Sequence, residues 1–367
     1  MKITHFFLCL LWILPPVRSF VKLGKMPFRM MALNQSPPEK HEVKGPITEY
    51  NENNINIPPS KLYEIVKLTR LHKNSIPVSM LCLLSGYITN PYSWEKWIVS
   101  PSFIASLIIV QSITAASMVI NDIYDIEIDR INQPNRPLVT GTVSVKEARW
   151  LVRGLYGLTF YLGIQFIPNV LDPFWIVGMF LVNIYTPFLK KITLVKNVVC
   201  AMIISSTVPF VGIATLNLME KTTASSLANL PLMLLTTQNI FFSSLYIENL
   251  LDIRDMKGDN AMGIHTIPVV FGKHFTLFFV ACLLLGSNIS MLFDPNPYAI
   301  LSTITIYIPY YTHIYKISCT QNKDDSDLYI QQAIKNTTLS MGCYFLFSIL
   351  FENILFSILA RVTDPLA

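Results

Sequence analysis

Asp122, Asp125 and Asp129 are spaced DxxDxxxD, and Asp252, Asp255 and Asp259 repeat that spacing later in the chain. At about 100° per residue, positions i, i+3 and i+7 fall within roughly a 60° arc, so each segment is expected to present three carboxylates on one helix face. Each follows a long apolar run, residues 101–120 and 230–247, which puts both acid stripes at or just inside a membrane boundary. Carboxylates there are costly unless something neutralises them. Hard divalent cations that bind through oxygen, magnesium above all, are the natural counter-charge when a substrate brings phosphates. The pattern therefore points to a magnesium diphosphate site. One such stripe on a soluble helix would be a solvated face. Here there are two, each preceded by an amide side chain, Asn121 or Asn249, and each followed by a loop with proline and glycine, 132–141 and 260–272.

The elements that must hold these stripes are membrane helices. With 52% hydrophobic and 14% charged residues the chain is too apolar for an ordinary soluble protein of this length. Apolar stretches near the ~20 residues needed to cross a bilayer fall at residues 75–92, 101–120, 150–167, 170–188, 195–216, 230–248, 275–294, 297–316 and 339–361. The expected fold is an all-α membrane protein of about nine transmembrane helices. The six cysteines form no CxxC pair and read as small core residues, neither a disulfide frame nor a zinc site. His265 and His313 lack ligand-spaced partners. The net charge of +5 comes without a basic cluster interleaved with aromatics, so no nucleic-acid partner is expected.

The first sixty residues differ. Lys2, the apolar run from Phe6 to Leu14, and Arg18-Ser19 give residues 1–19 the layout of a secretory signal peptide. The next stretch carries Lys22, Lys25 and Arg29 with no acid before Glu39, as a transit peptide would, and residues 39–60, with Pro46, Pro58 and Pro59, read as a linker. The expected organisation is a signal-like segment (1–19), a transit-like and linker segment (20–60) and a membrane domain (61–367). A two-part address of this kind suits a plastid membrane.

Two longer motifs carry a family resemblance. NDIYDIEIDRINQPNRPLVTG at 121–141 resembles the first signature of the intramembrane UbiA-type prenyltransferases, and LDIRDMKGDNAMGIHTIPVVFG at 251–272 the second. Between them YTPFLKKITLVKN, 185–197, resembles the family's middle stretch of a Tyr, a Lys or Arg and a late Asn. The resemblance spans about residues 62–361 and implies a nine-helix bundle around a central prenyl-diphosphate cavity. It implies that Asn121, Asp122, Asp125, Asp129, Asp252, Asp255 and Asp259 hold Mg2+ directly or through water. It implies too that Arg136 and Lys190 or Lys196 contact phosphate oxygens, with Asn249 beside the substrate. Arg70 and Lys73 are weaker candidates. Loss of pyrophosphate leaves an allylic cation, which Tyr124, Tyr185 and Tyr246 are placed to shield by cation–π contact.

The acceptor is less legible. The first motif is similar to both homogentisate-type prenyltransferases and chlorophyll synthases, and the expectation is transfer to an aromatic or quinone-precursor head group, a hydrophobic acceptor met in lipid. Chlorophyll-type tail transfer and an intramembrane terpene cyclase of the same family use the same donor chemistry. A cation-coupled transporter is the non-enzymatic alternative. Asp172, a lone acid between spans, is expected to matter little, and the Glu248-Asn249 pair and Arg254 depart from the family pattern.

Overall fold

A backbone immersed in hydrocarbon must satisfy its N–H and C=O groups internally, and the long apolar runs do so as helices. The computed structural model describes residues 60–90, 94–216, 230–261, 263–289, 297–337 and 340, and among them there is no strand. The chain divides into two units, 1–57 and 58–367, and all described residues belong to the second. The expected signal-like and transit-like segments thus lie outside the described residues, apart from Ser60.

The helices, in order, are α1 (Lys61–Leu68), α2 (Leu71–Thr89), α3 (Trp94–Trp97), α4 (Pro101–Tyr124), α5 (Ile126–Asn132), α6 (Pro137–Thr140), α7 (Val145–Phe166) and α8 (Asp172–Tyr185). They continue with α9 (Val195–Ser205), α10 (Thr207–Leu216), α11 (Leu230–Ala261), α12 (Ile267–Phe271), α13 (Lys273–Ile289) and α14 (Pro297–Cys319), then a helix at 323–337. In their described residues, eight of the nine apolar stretches lie mainly on these helices, and the ninth, 339–361, lies outside the described residues save Ser340. By length and composition α4 and the α9–α10 pair, Val195–Leu216, are long and apolar enough to cross a membrane. Large apolar side chains stand exposed on the outside of α7, α8 and α13, among them Leu158, Tyr161, Phe180 and Phe278. Contiguous surface of that kind is stable against lipid, not water.

Local sequence explains where the helices begin. Ser100 caps α4 by accepting from the Phe103 N–H at 3.2 Å, with Pro101 in the first turn where its missing N–H costs nothing. Ser144 and Glu147 form a reciprocal capping box at the start of α7. Helix contacts are close where residues are small. A Cβ on Gly212 of α10 would stand 2.6 Å from Thr89 Oγ1 of α2, and one on Gly163 of α7 would meet the Trp175 ring of α8 at 2.7 Å. Packing of this kind holds helices together where lipid is as apolar as the side chains.

The cores bracket the site. One cluster joins α2, α10, α11, α13, α14 and the 323–337 helix through residues such as Ile88, Val208, Leu250, Leu277 and Tyr310. A second joins α2, α3, α4, α8 and α10 around Cys82, Ile109, Trp175 and Phe210. A third, with Leu68, Val119, Leu138, Val143 and Ala148, anchors the loop after the first acid stripe.

One expectation about local geometry is corrected. The first stripe does not lie on a single helix. α4 ends at Tyr124, Asp125 has φ −97° and ψ 11°, and α5 resumes at Ile126. The break still leaves Asp122, Asp125 and Asp129 buried on the inner side. The second stripe lies within the unbroken α11.

Candidate active site

The two acid stripes, far apart in sequence, converge on one polar cleft lined by Asn121, Asp125, Asp129, Asp252, Asp255 and Asp259. Arg136, Lys190, Lys196 and Arg254 line the same space, with Ile128 and Gln133. The cleft and the solvent at its mouth together span about 460 Å³.

Each cation is delivered by a specific local device. Arg136 follows α5 in the Pro-rich loop that starts α6, and Nη1 donates to Asp122 Oδ1 at 2.5 Å and Asp129 Oδ2 at 2.6 Å. That loop is tied down by Lys67 Nζ on the Asn135 carbonyl, 2.7 Å, and by the Thr142 hydroxyl donating to Glu64 at 3.0 Å. Arg70 reaches the same Asp122 at 2.8 Å from a left-handed backbone, φ 54°, between α1 and α2. Lys190, on the turn Leu189–Lys191, pairs with Asp125 and reaches Asn121 Oδ1 at 3.4 Å. Lys196 in the first turn of α9 pairs with Asp252, whose other oxygen accepts from Asn197 Nδ2 at 3.0 Å. Leu194, just before, also has positive φ, 70°. The two non-glycine residues with positive φ among the described residues thus both sit at entries to cleft-bearing helices, where strained backbone is held by its surroundings. Arg254 forks onto its neighbour Asp255 at 2.9 and 2.8 Å.

Six carboxylates therefore face five cations: Arg70, Arg136, Lys190, Lys196 and Arg254. Among the described residues Asp259 makes no ion pair. Burial pushes the Asp129 carboxyl up to about 6, against the pull of Arg136. No three carboxylate, histidine or cysteine side chains among the described residues stand close enough together to hold a metal ion, since most of the acids are drawn to their own Lys or Arg. The expected seven-residue ligand set is thus not a ready-made cage. Its chemistry nonetheless fits magnesium, which keeps several waters and takes only one or two carboxylates along with substrate phosphates.

The candidate residues divide by placement. Tyr185 ends α8 in the neighbourhood of Glu248, Asp252 and Asp125, but it too lies outside the cleft lining. Tyr124 is about half exposed and does not line the cleft, because it stands some 200° around the helix from Asp122. Tyr246 is buried against Tyr310, ring centroids 4.6 Å apart, and is turned away from the cleft as well. Asn249 donates to the Leu245 carbonyl at 2.7 Å and lies outside the cleft lining, its Oδ1 unsatisfied. Asp172 accepts from the Trp175 indole at 3.2 Å, away from the cleft. Arg70 emerges as a full partner of the first stripe. Nothing in its spacing singles it out, since its approach depends on how α1 and α2 fold onto α4. Cys82 is buried, Cys282 and Cys319 are exposed, all unpaired, while Cys9 and Cys343 lie outside the described residues. His313 meets Asn336 at 2.8 Å.

A family model, that of the UbiA prenyltransferase family, matches residues 79–337. Digeranylgeranylglyceryl phosphate synthase of Sulfolobus acidocaldarius is 32% identical over 235 residues, 64% of this chain and 77% of that protein. The enzyme of the same name from Hyperthermus butylicus is 31% identical over 236 residues, 64% and 75% of the two chains. Among solved structures, the apo form of a UbiA homolog from Aeropyrum pernix K1 matches with a TM-score of 0.59 at 17% identity, covering 76% of this chain and 98% of that one. A UbiA homolog from Archaeoglobus fulgidus bound to DMAPP and Mg2+ gives 0.55 at 17% identity, covering 77% and 98%. At such identities the likeness is one of fold.

Proposed function

The chain belongs to the UbiA prenyltransferase family, and from that premise we propose that it transfers a prenyl group from a prenyl diphosphate to the hydroxyl of a lipid-like glyceryl phosphate, releasing pyrophosphate. As a member of that family it is an integral membrane enzyme, a prenyltransferase. The observation that carries the donor half of the reading is the convergence of both acid stripes and four cations on one cleft. Six carboxylates against five cations leave the cleft negative, so a diphosphate enters only with additional positive charge. Mg2+ bound with the diphosphate would supply that charge and the Lewis acidity that favours departure of pyrophosphate. The carboxylates of the two stripes would hold it, Asp259, which makes no ion pair among the described residues, being the least committed to other partners.

The chain's own residues do the rest. Arg136, Lys190, Lys196 and Arg254 are placed to release their carboxylates in part and neutralise charge growing on the departing diphosphate. The prenyl tail runs from the cleft toward the apolar halves of α4 and α11, where water is scarce and the allylic cation is protected from capture. Tyr185 is the aromatic side chain best positioned to face it.

The acceptor departs from the aromatic head group that the motifs suggest. Both relatives named above make a glyceryl phosphate carrying two geranylgeranyl groups, and they cover most of their own length on this chain. The similarity of residues 121–141 to homogentisate-type enzymes keeps a phenolic acceptor as the second reading. Those relatives are archaeal, so the plastid address of the first sixty residues rests on the sequence alone. The signal-like, linker and membrane division, 1–19, 20–60 and 61–367, likewise stands as proposed.

Magnesium-dependent pyrophosphate release, measured on purified protein in nanodiscs with geranylgeranyl diphosphate, tests the reading. Release that requires a prenylglyceryl phosphate, with the conjugate identified by mass, is the expected result. Release that requires a phenol selects the second reading. Release without any acceptor, giving a cyclic hydrocarbon, makes the protein a cyclase, and no release under any condition removes the prenyl-transfer reading.

A further inference from the structure

One carboxylate beside the cleft has no part in the scheme above. Glu248 precedes Asp252 by four residues on α11, so it occupies the same face one turn, about 5.4 Å, nearer the apolar half of the helix. α9 lies antiparallel against that face. Lys196 meets Asp252, and one turn further along α9 the Cys200 thiol donates to Glu248 Oε1 at 3.2 Å. Tyr185 at the end of α8 lies within reach of the charges on both Glu248 and Asp252. Cleft, carboxylate and apolar interior thus follow one another along a single helix face.

Glu248 differs from its neighbours in how it is satisfied. Asp122, Asp125, Asp129, Asp252 and Asp255 each meet a Lys or Arg, whereas among the described residues Glu248 makes no ion pair and its recorded hydrogen bond is from a thiol, a weak donor. The residue is only partly enclosed and lies one turn inward of Asp252, just beyond the cleft lining. A carboxylate in an apolar stretch with so little compensation is costly to keep for packing alone, since Leu or Met would fill the space at no such cost. Its position is also where a lipid-like acceptor must present its hydroxyl, tail in the apolar interior and oxygen at the prenyl carbon next to the diphosphate.

We infer that Glu248 is the group that receives the acceptor's hydroxyl, accepting its hydrogen bond and then its proton. The inference rests on the proposed transfer to a hydroxyl. The acceptor oxygen's lone pair forms the bond to prenyl C1, and the C1–O bond to diphosphate breaks with its electron pair staying on the leaving group. The O–H electrons remain on the new ether oxygen, and the proton passes to Glu248 and on to water or pyrophosphate. Lys196 and Cys200 from α9, Lys190 from the turn before it, Tyr185 from α8, and Asp252 and Arg254 on α11 are the charged and titratable groups facing Glu248, and together they set the pH at which it can take a proton. Cys200 is a positioning residue, holding one carboxylate oxygen.

Glu248→Gln keeps the volume and an acceptor for the thiol but cannot take the proton. In nanodiscs it is expected to bind geranylgeranyl diphosphate with magnesium within about twofold of the unaltered protein while transfer to prenylglyceryl phosphate falls about 100-fold or more, with the acid limb of the pH–rate profile lost. Glu248→Asp should recover part of the rate with a displaced acid limb. Transfer by Glu248→Gln within about threefold of the unaltered protein overturns the inference. So does a parallel loss of donor binding, which would assign Glu248 to the diphosphate site. Should Glu248→Gln fail to fold, Cys200→Ala carries the test: a shifted acid limb with unchanged donor binding supports the inference, and an unchanged pH profile overturns it. An unaltered protein that transfers to no hydroxyl acceptor refutes the proposed reaction and this inference with it, a failure visible before any variant is made.

Discussion

At the scale of single residues, the cleft is a set of buried opposite charges in which few side chains are spare. Asp125 and Asp255 are central in their stripes, one paired to Lys190 and the other to Arg254. Asp125→Ala or Asp255→Ala is expected to cut magnesium-dependent pyrophosphate release by about 100-fold or more, the scale for losing charge stabilisation at a leaving group, with helical circular dichroism unchanged. Replacing Asp172, whose partner is the Trp175 indole, should leave release near normal in the same assay. Lys196→Met is of another kind. It leaves Asp252 buried with only Asn197 as a partner, and removing one member of a buried pair costs about 3–5 kcal/mol. Thermal unfolding in detergent should show a marked loss of stability along with the loss of activity, whereas Lys190→Met, on a more exposed turn, should be milder in stability.

At the scale of elements, the loop between α5 and α7 does the positioning. It carries Arg136, and Lys61 ties it to α7 by bonding both the Thr142 carbonyl at 2.8 Å and Glu147 at 3.0 Å. Glu147 also accepts from the Ser144 N–H and hydroxyl, and these bonds hold its carboxyl down to about 2, below the usual carboxylate range. A depressed folded-state pKa contributes stability that is complete above the unfolded value and is lost as pH falls through the folded one. Glu147→Gln should therefore lower the melting temperature at pH 7, and the gap from the unaltered protein should close as pH falls from about 4.5 toward about 2. Ser144→Ala should cost about 1 kcal/mol, the usual loss for an N-cap. The capping box itself is visible as SVKE in the sequence, but its tie to α1 through Lys61 is not, because the two lie 86 residues apart.

At the scale of the whole molecule, the site is a junction between the region of α4 to α6 and the region of α9 and α11. Neither stripe is complete alone, so a donor bound with magnesium should bridge them and stabilise the bundle. Binding at 100 times Kd adds about 2.7 kcal/mol. Differential scanning fluorimetry is expected to show a rise in melting temperature with geranylgeranyl diphosphate that requires magnesium and disappears in Asp125→Ala and in Asp255→Ala alike. A rise lost in only one of the two variants would mean that one stripe binds the donor alone.

The sequence by itself determined the membrane character, the helical class and the identity of the two stripes, because hydropathy and the 3.6-residue repeat are local properties of the chain. It also pointed to Arg136, Lys190 and Lys196 through their motifs. Only the tertiary structure decided which residues meet. The break at Asp125 changes the geometry of the first stripe, Arg70 joins Asp122 across 52 positions, and Tyr124 and Tyr246 turn away from the cleft. Glu248 gains its setting only when α9 lies antiparallel to α11 and brings Cys200 against it. Pairings of this kind depend on helix crossing and rotation, which are set by side chains packing from distant segments and leave no periodic trace in the sequence.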